Sequence, residues 1–463
     1  MLPRPSPSAS LSRRRLLEIG GVSALGLSLP KMLAAEQSER RRDGEKSCIF
    51  IYQYGGLSQL DSWDPKPDAP QEYRGPYRPI ATKVPGFQVG ELMPRLASLA
   101  DKYCVIRSLS HKIPIHDVAN KMLLAGNSLP AADAPSLGAI VSKLKPTNKV
   151  LPNHVWLQKF GGGAAPPDPT YLTGGYLGVA HAPLLVGVQH DENPANPAFR
   201  VKAFDTVEGL PLSRLDERRQ LLGQLAATQP TNDAGAQALK HYQERAYEML
   251  TGPAAKQAFE VERETEQTRD RYGRHPLGQN LLMARRLVES GVRLVSVVGW
   301  MGWMGLAPGE PFVSVETWDM HGNAGIGIFE NGWNGLGWAL PRCDAAVATL
   351  LEDLEERGLL DSTLVVLVGE FGRTPAISKG AKAIGRDHWP NCYSAMLAGG
   401  GVQGGAIYGE SDRHAAFVRT RPVSPEDFGA TILHGLGISP DTRLGLDGFS
   451  RPASAGTAIR EIF

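Results

Sequence analysis

The chain has 463 residues, 42% hydrophobic and 21% charged, with a net charge of +1. This is ordinary globular composition, long enough for a large core or for one big domain with insertions. The near-neutral balance argues against a nucleic-acid footprint, which would show as a basic patch or a high pI.

Residues 1–35 read as a targeting segment and not as fold. Ser12, Arg13, Arg14, Arg15, Leu16 and Leu17 fit the twin-arginine export pattern. The mildly apolar stretch 19–30 follows, then Lys31 and the small residues Ala34 and Ala35. That stretch is too short for a membrane span, which needs about 20 apolar residues. The expected partner is the twin-arginine export machinery, the expected location periplasmic or extracellular, with no transmembrane segment in the mature chain. The bland alternative is a disordered basic N-terminus. Loss of residues 1–35 removes five basic groups and one acid, which leaves a net charge of about −3. Cys48, Cys104, Cys343 and Cys392 form no C-x-x-C pair, so zinc–thiolate motifs are absent.

Residues 36–47 read as a charged linker. The run 48–54 (CIFIYQY) is apolar and β-prone, a first strand ending at Gly55–Gly56. Asp61 and Asp64 in the acidic loop beyond it are candidate ligands, or turn formers, since Asp before Pro is common in turns. The spacing of Leu92, Leu96 and Leu99 predicts a helix over 91–102. A second strand is expected over 103–109. His111, His116 and Asp117 follow it, and then a helix over 118–125 stopped by Gly126. A helix over 135–145, a strand over 155–157 and a flexible loop over 161–169 come next.

From about 212 to 267 the chain turns charged and Gln-rich, which reads as a helical insertion packed on one edge of the core. An amphipathic helix over 276–290 and a strand over 293–298 return to the α/β pattern. The Gly- and Pro-rich run 299–312 is a loop whose Trp300 and Trp303 could pack in the core or stack on a sugar. At Asp319-Met320-His321 an extended backbone would put carboxylate and imidazole on one side. That suits two ligands of one metal ion; a plain Asp–His hydrogen bond is the alternative.

A helix over 340–357 carries a buried stripe and ends at Gly358. Then comes the central stretch. The run 363–368 reads as a buried strand, with Glu370 and Arg373 just past its end, then Arg386, Asp387 and His388, and a closing strand over 393–398. In open α/β sheets ligands bind outside the carboxyl ends of the strands. An acid, an imidazole and two guanidinium groups there suit a metal ion and an anionic substrate. Each arginine could instead serve as a structural salt-bridge partner. Gly399, Gly401 and Gly404 match G-x-G-x-x-G, but AIYGES follows and is not a helix, so a dinucleotide site is rejected. Ser424, Pro425 and Glu426 open a last helix.

Together, GGLSQLDSWDPKPDAP, RDRYGRHPLGQNLLMARRLVESGVR, WDMHGN, LEDLEERGLLDSTLVVLVGEFGRTP and GRDHWPNCYSAMLAGGG resemble the bacterial exported family known as domain of unknown function 1501. That family is in turn similar to the alkaline phosphatase and sulfatase superfamily. The resemblance implies an α/β core over 48–463, a mostly parallel sheet flanked by helices, with a metal site at the strand ends. It further implies that Asp319 and His321, with His388, look like metal ligands, and that Glu370 completes the set or holds a weakened second site. Two departures stand out. Phe371 occupies the position of an expected ligand histidine, and Gly55–Gly56 that of an expected aspartate. At the nucleophile position HDVANKMLLAGN offers His116 and no Cys, Ser or Thr, which rules out a formylglycine there.

The expectation is therefore a metal-dependent hydrolase of a phosphate or sulfate ester, the anion possibly on a carbohydrate. A divalent ion (zinc, calcium or manganese) would sit on Asp319, His321, Glu370 and His388. His116 would act as general acid or base or as nucleophile, Arg373 and Arg386 would hold the anion, and Asp61, Asp64, Asp387 and His111 are possible additions. The rival expectation is a non-catalytic protein on the same fold that binds a glycan or envelope component. Ser58 as a hydrolase nucleophile is weak, because GGLSQ lacks the G-x-S-x-G elbow.

Overall fold

A computed structural model of the protein describes residues 45–463 apart from 148, 159–172, 188–191, 206–211, 229–233, 303–317, 323–326, 330–334, 380–382 and 446–450. The targeting segment, most of the linker, the loop at 161–169 and Trp303 lie outside the described residues.

Eight strands build one sheet: β1 Ser47–Tyr52, β2 Tyr103–Leu109, β3 His154–Leu157, β4 Leu184–Val186, β5 Leu294–Val298, β6 Thr363–Val368, β7 Tyr393–Ala398 and β8 Ile407–Tyr408. Their order is β8-β2-β7-β6-β1-β5-β3-β4. All neighbours are parallel except β7, which is antiparallel to both β2 and β6. The chain returns from β6 to β7 through short β-ribbons and not through a helix, so no crossover forces a parallel pairing.

The central strands are apolar on both faces because helices cover both. In β1, Ile49 and Ile51 enter one core with Leu277, Leu281 and Leu287 of α7 (Pro276–Glu289) and Val347, Leu350 and Leu351 of α8 (Gly335–Glu356). Cys48, Phe50 and Tyr52 enter the other with α1 (His116–Ala125), α2 (Leu137–Leu144) and α9 (Pro425–Gly435). The region at 212–267 is helical as expected: α3 Leu212–Thr228, α4 Ala234–Thr251, α5 Pro253–Phe259 and α6 Glu266–Tyr272. Ala255, Ala258 and Phe259 of α5 join the first core. All four cysteines are buried and free, and no helix among the described residues is long and apolar enough to cross a membrane.

Two helices differ from expectation. The segment 91–102 holds only Pro94–Ser98 and a 3-10 turn at Ala100–Lys102. Pro94 lacks an N–H and fits only a first turn, so the helix cannot begin earlier. In contrast, α8 starts at Gly335, five residues before its expected start, and runs through Pro341. The termini of α1 and α9 follow from local chemistry. Gly126 closes α1 in the left-handed conformation. Ser424 and Asp427 form a reciprocal capping box on α9.

His154 on β3 gives the fold an acid-sensitive point. Its ring is fully buried, Nδ1 has no partner among the described residues, and Nε2 lies 3.5 Å from the Ser296 hydroxyl. Burial pushes its pKa down to about 3. The unfolded chain takes up this proton near pH 6.5 and the folded chain does not. Stability from this group is therefore present above about pH 6.5 and is lost as pH falls toward 3, by up to about 1.4 kcal/mol per pH unit. Urea unfolding of His154→Asn between pH 4 and 6.5 should show a slope shallower by about one proton. An unchanged slope would contradict a neutral buried His154.

Candidate metal centre

Three strand ends bring the centre together. After β1 the chain turns at Gly55. After β6 it reaches Glu370. Beyond β5 it comes back as Trp318 and Asp319, with the Trp318 N–H donating to the Tyr54 carbonyl at 2.8 Å. Gly55 has φ +97, and a Cβ there would lie 2.4 Å from the Asp319 backbone nitrogen. The turn after β1 therefore carries glycine because Asp319 packs against it. Gly55→Ala should destabilise the protein by at least about 2 kcal/mol from strain and clash together, read by chemical denaturation; a loss under about 0.5 kcal/mol would argue against this packing.

Asp319 is the hub. Its Oδ1 lies 2.9 Å from the Nε2 of His321, 2.9 Å from the Nε2 of His388 and 2.5 Å from Nη2 of Arg373. Its Oδ2 faces the Nε2 of His116 at 3.4 Å. Ligand atoms of His116, Asp319 and His388 all fall within 4.8 Å of one another, and His321 adds a further imidazole beside them. Asp319 and His321 converge, but not on the extended segment expected: the Met320 N–H donates to the Trp318 carbonyl at 3.0 Å and closes a tight turn at Asp319. His388 sits on a two-residue strand, His388–Trp389, paired antiparallel with Gly372–Arg373.

Each imidazole is tied down at its far nitrogen. Nδ1 of His116 donates to Glu370 Oε1 at 2.7 Å, Nδ1 of His321 to Asp387 Oδ1 at 2.7 Å, and Nδ1 of His388 to the Pro114 carbonyl at 2.8 Å. With Nδ1 holding the proton, a neutral ring turns a lone pair outward at Nε2. The Nε2 atoms of His321 and His388 lie 2.9 Å apart, and both face a carboxylate oxygen. Three acceptors so close need a positive charge among them besides Arg373: a proton on one ring, or a metal ion. Outer acceptors on each Nδ1 are the usual device for presenting histidines to a metal. The donor set of imidazole and carboxylate fits a divalent cation.

Electrostatics agree with the geometry. Burial works to raise the Asp319 carboxyl, but the Arg373 guanidinium and the neighbouring imidazoles outweigh it and hold the group far below the usual carboxylate range. Burial works to lower His116, yet Asp319 and Glu370 overcome it and push the ring up to about 9. Burial leaves His388 below its ordinary value despite Asp319, and it also lowers His111.

The remaining candidates fall elsewhere. Glu370 is fully buried behind His116, accepting from the Gly55 N–H at 2.8 Å and the Tyr52 hydroxyl at 3.1 Å, so it holds His116 and does not face the cluster as a fourth ligand. Asp387 orients His321 from outside. Nε2 of His111 donates to the Glu370 carbonyl at 2.6 Å, one layer further back. Arg373 is fully buried, donating to the carbonyls of Gly55, Gly56 and Arg386 besides Asp319. Arg386, also fully buried, donates to Asp61 and to the carbonyls of Tyr73, Thr374 and Pro375. Both arginines are thus structural partners and offer no open face to an anion. Asp61 faces Arg386 and Ser58, and Asp64 faces Lys66, Arg107 and Ser411; neither reaches the Asp319 cluster.

Trp300, a candidate for sugar stacking, is buried core, as are Trp63 and Trp318. Trp389 is partly exposed against Phe417. Spacing and composition carry no direct sign of Tyr52, Tyr54 and the Pro114 carbonyl as parts of the centre. Tyr54 packs on His116 with ring centres 4.9 Å apart. Phe371, where a histidine was expected, packs against both His116 and His388, with ring centres at 5.1 and 4.3 Å.

Among curated proteins no sequence matches the chain. Similar solved structures include PsFucS1 sulfatase from Pseudoalteromonas sp. (12% identity, 93% of this chain and 74% of that one, TM-score 0.39). Others are the phosphonate monoester hydrolase SpPMH from Silicibacter pomeroyi (12%, 90% and 76%, 0.34) and a protein in the alkaline phosphatase superfamily from Vibrio parahaemolyticus (12%, 85% and 67%, 0.38). Residues 45–463 match the model of a family described as protein of unknown function (DUF1501), and the chain belongs to that family.

Proposed function

We propose that the protein is an exported, metal-dependent hydrolase of a phosphate or sulfate ester. The observation that carries this reading is the convergence of three Nε2 atoms on Asp319, each ring held at Nδ1 by an outer acceptor. Asp319, His321 and His388 hold the cation. A divalent ion bound there would polarise an ester oxygen and lower the pKa of bound water. His116 stands beside these ligands with Nε2 3.4 Å from Asp319 and its other nitrogen anchored on buried Glu370. It is placed to give a proton to the leaving oxygen or take one from the attacking group. Export rests on the twin-arginine pattern at 12–17.

The second reading is a non-catalytic binding protein, and one observation favours it: Arg373 already presses a guanidinium onto Asp319 Oδ1, where a metal ion would compete with it. One experiment separates the two. Protein prepared with zinc, calcium and manganese supplied is analysed for metal and assayed with p-nitrophenyl phosphate and sulfate. Turnover abolished by chelation and restored by one ion supports the hydrolase. In His116→Gln, retained metal with turnover reduced at least about 100-fold assigns the proton role; loss of metal makes His116 a ligand instead. Protein that holds no metal and turns over neither ester would sink the proposal.

A further inference from the structure

A cleft of about 630 Å³ that shares no residue with the candidate metal centre opens beside β8 and the ribbon Glu410–Ser411 with Val418–Thr420. Lys66, Arg107, Arg419 and Arg421 line it against only two carboxylates, Asp64 and Glu410. The buried carboxylate is already neutralised. Asp64 takes Lys66 at 2.9 Å and Arg107 at 3.4 Å, and accepts the Ser411 hydroxyl. Glu410 reaches Arg419 only at 4.0 Å, with both side chains mostly in solvent.

Two features set this apart from an ordinary solvated charged face. First, Arg421 sits in left-handed backbone, φ +50, a region where a long side chain is uncommon. Its guanidinium lies 5.2 Å from the Tyr408 ring centre and makes no ion pair among the described residues. Second, Nε of Arg107 is buried with no acceptor, while the rest of its guanidinium is fixed by Asp64 and the Gln88 carbonyl. A held cation with an unanswered donor and a second cation stacked on an aromatic ring make a place for tetrahedral oxygens, since guanidinium groups pair oxyanions in forked geometry.

We propose that this cleft binds a sulfate or phosphate group through Arg107, Arg419 and Arg421, with Lys66 beside them, independently of the metal centre. The group is either a free ion or one carried on a sugar. A volume of this size accommodates a sugar-borne group.

The test titrates the full chain with inorganic sulfate, inorganic phosphate and a sulfated disaccharide by calorimetry. Arg421→Gly and Arg419→Gln should each weaken binding at least about tenfold. Arg421→Gly should do so with an unchanged or raised Tm, because glycine suits that backbone. Glu410→Gln should tighten binding, and His388→Ala should leave it unchanged. Equal affinity for free and sugar-borne sulfate assigns the cleft to the ion; tighter disaccharide binding assigns it to a sulfated saccharide. Binding lost in His388→Ala but kept in both arginine variants would place the anion at the metal centre and overturn the proposal. So would no binding of any of the three probes.

Discussion

Asp319→Ala should abolish metal retention and, separately, lower stability by about 3–5 kcal/mol. The two losses have different causes. Metal retention fails because all three Nε2 atoms face the Asp319 carboxylate. Content should fall from about one ion per chain to below about 0.1. Stability fails because Arg373 is fully buried and Asp319 is its counter-charge. The carbonyls of Gly55, Gly56 and Arg386 satisfy its donors but cannot neutralise it. Urea unfolding in chelator isolates the second loss, since bound metal no longer adds its own stabilisation. His388→Ala should lose the ion as well, at a smaller cost of about 1–2 kcal/mol, because it leaves Asp319 and Arg373 paired. Asp319→Ala that keeps its metal would refute the centre. Asp319→Ala as stable as wild type in chelator would refute the buried pair.

Much of this arrangement was legible because strand ends can be read from composition. The runs CIFIY and TLVVLV are continuous and apolar, as strands covered on both faces must be, so their carboxyl ends could be located and Glu370 placed at one of them. Asp319 and His321 were legible as neighbours from their i, i+2 spacing, although a tight turn at Asp319 and not an extended backbone brings them together. What spacing does not carry is direction at long range. Nothing in GEFGRTP or GRDHWP tells whether a guanidinium points to solvent or inward, and both turned inward onto carbonyls hundreds of positions away in sequence. Glu370 was legible as a strand-end acid but not as the group behind His116, because that depends on the Gly55 N–H and the Tyr52 hydroxyl of a different strand. Gly55 itself looked like a lost ligand, and only its contact with the Asp319 backbone shows why no side chain fits there. The antiparallel β7 escaped for a similar reason. Its apolar pattern is that of any buried strand, and the short ribbons preceding it carry little periodicity.

Arg386→Ala should cost about 3–5 kcal/mol and should also weaken the metal centre without touching a proposed ligand. Arg386 and Asp61 are both fully buried, and their contact is two-pronged, Nε to Oδ2 at 2.9 Å and Nη2 to Oδ1 at 3.3 Å. The other donors answer the carbonyls of Thr374 at 3.0 Å, Tyr73 at 2.6 Å and Pro375. Truncation leaves a buried carboxylate with only Ser58 beside it and three carbonyls without their donor. Lysine should not rescue, because one ammonium cannot reproduce the fork and reach all three carbonyls. The effect on the centre follows because these side-chain bonds anchor the backbone of residue 386, whose N–H and carbonyl alanine retains but no longer fixes in place. The Arg386 N–H donates to the Met320 carbonyl at 3.1 Å, and its own carbonyl accepts from Arg373 at 3.0 Å. Arg386 therefore ties the segment of Asp319 and His321 to the segment of Asp387 and His388. Asp61→Ala should be nearly as damaging, and the double variant should cost well under the sum of the two, with a coupling energy of at least about 2 kcal/mol by double-mutant cycle. Additive single losses would mean that the pair is not what holds these segments together. A metal content unchanged in Arg386→Ala would separate the ion pair from the geometry of the centre.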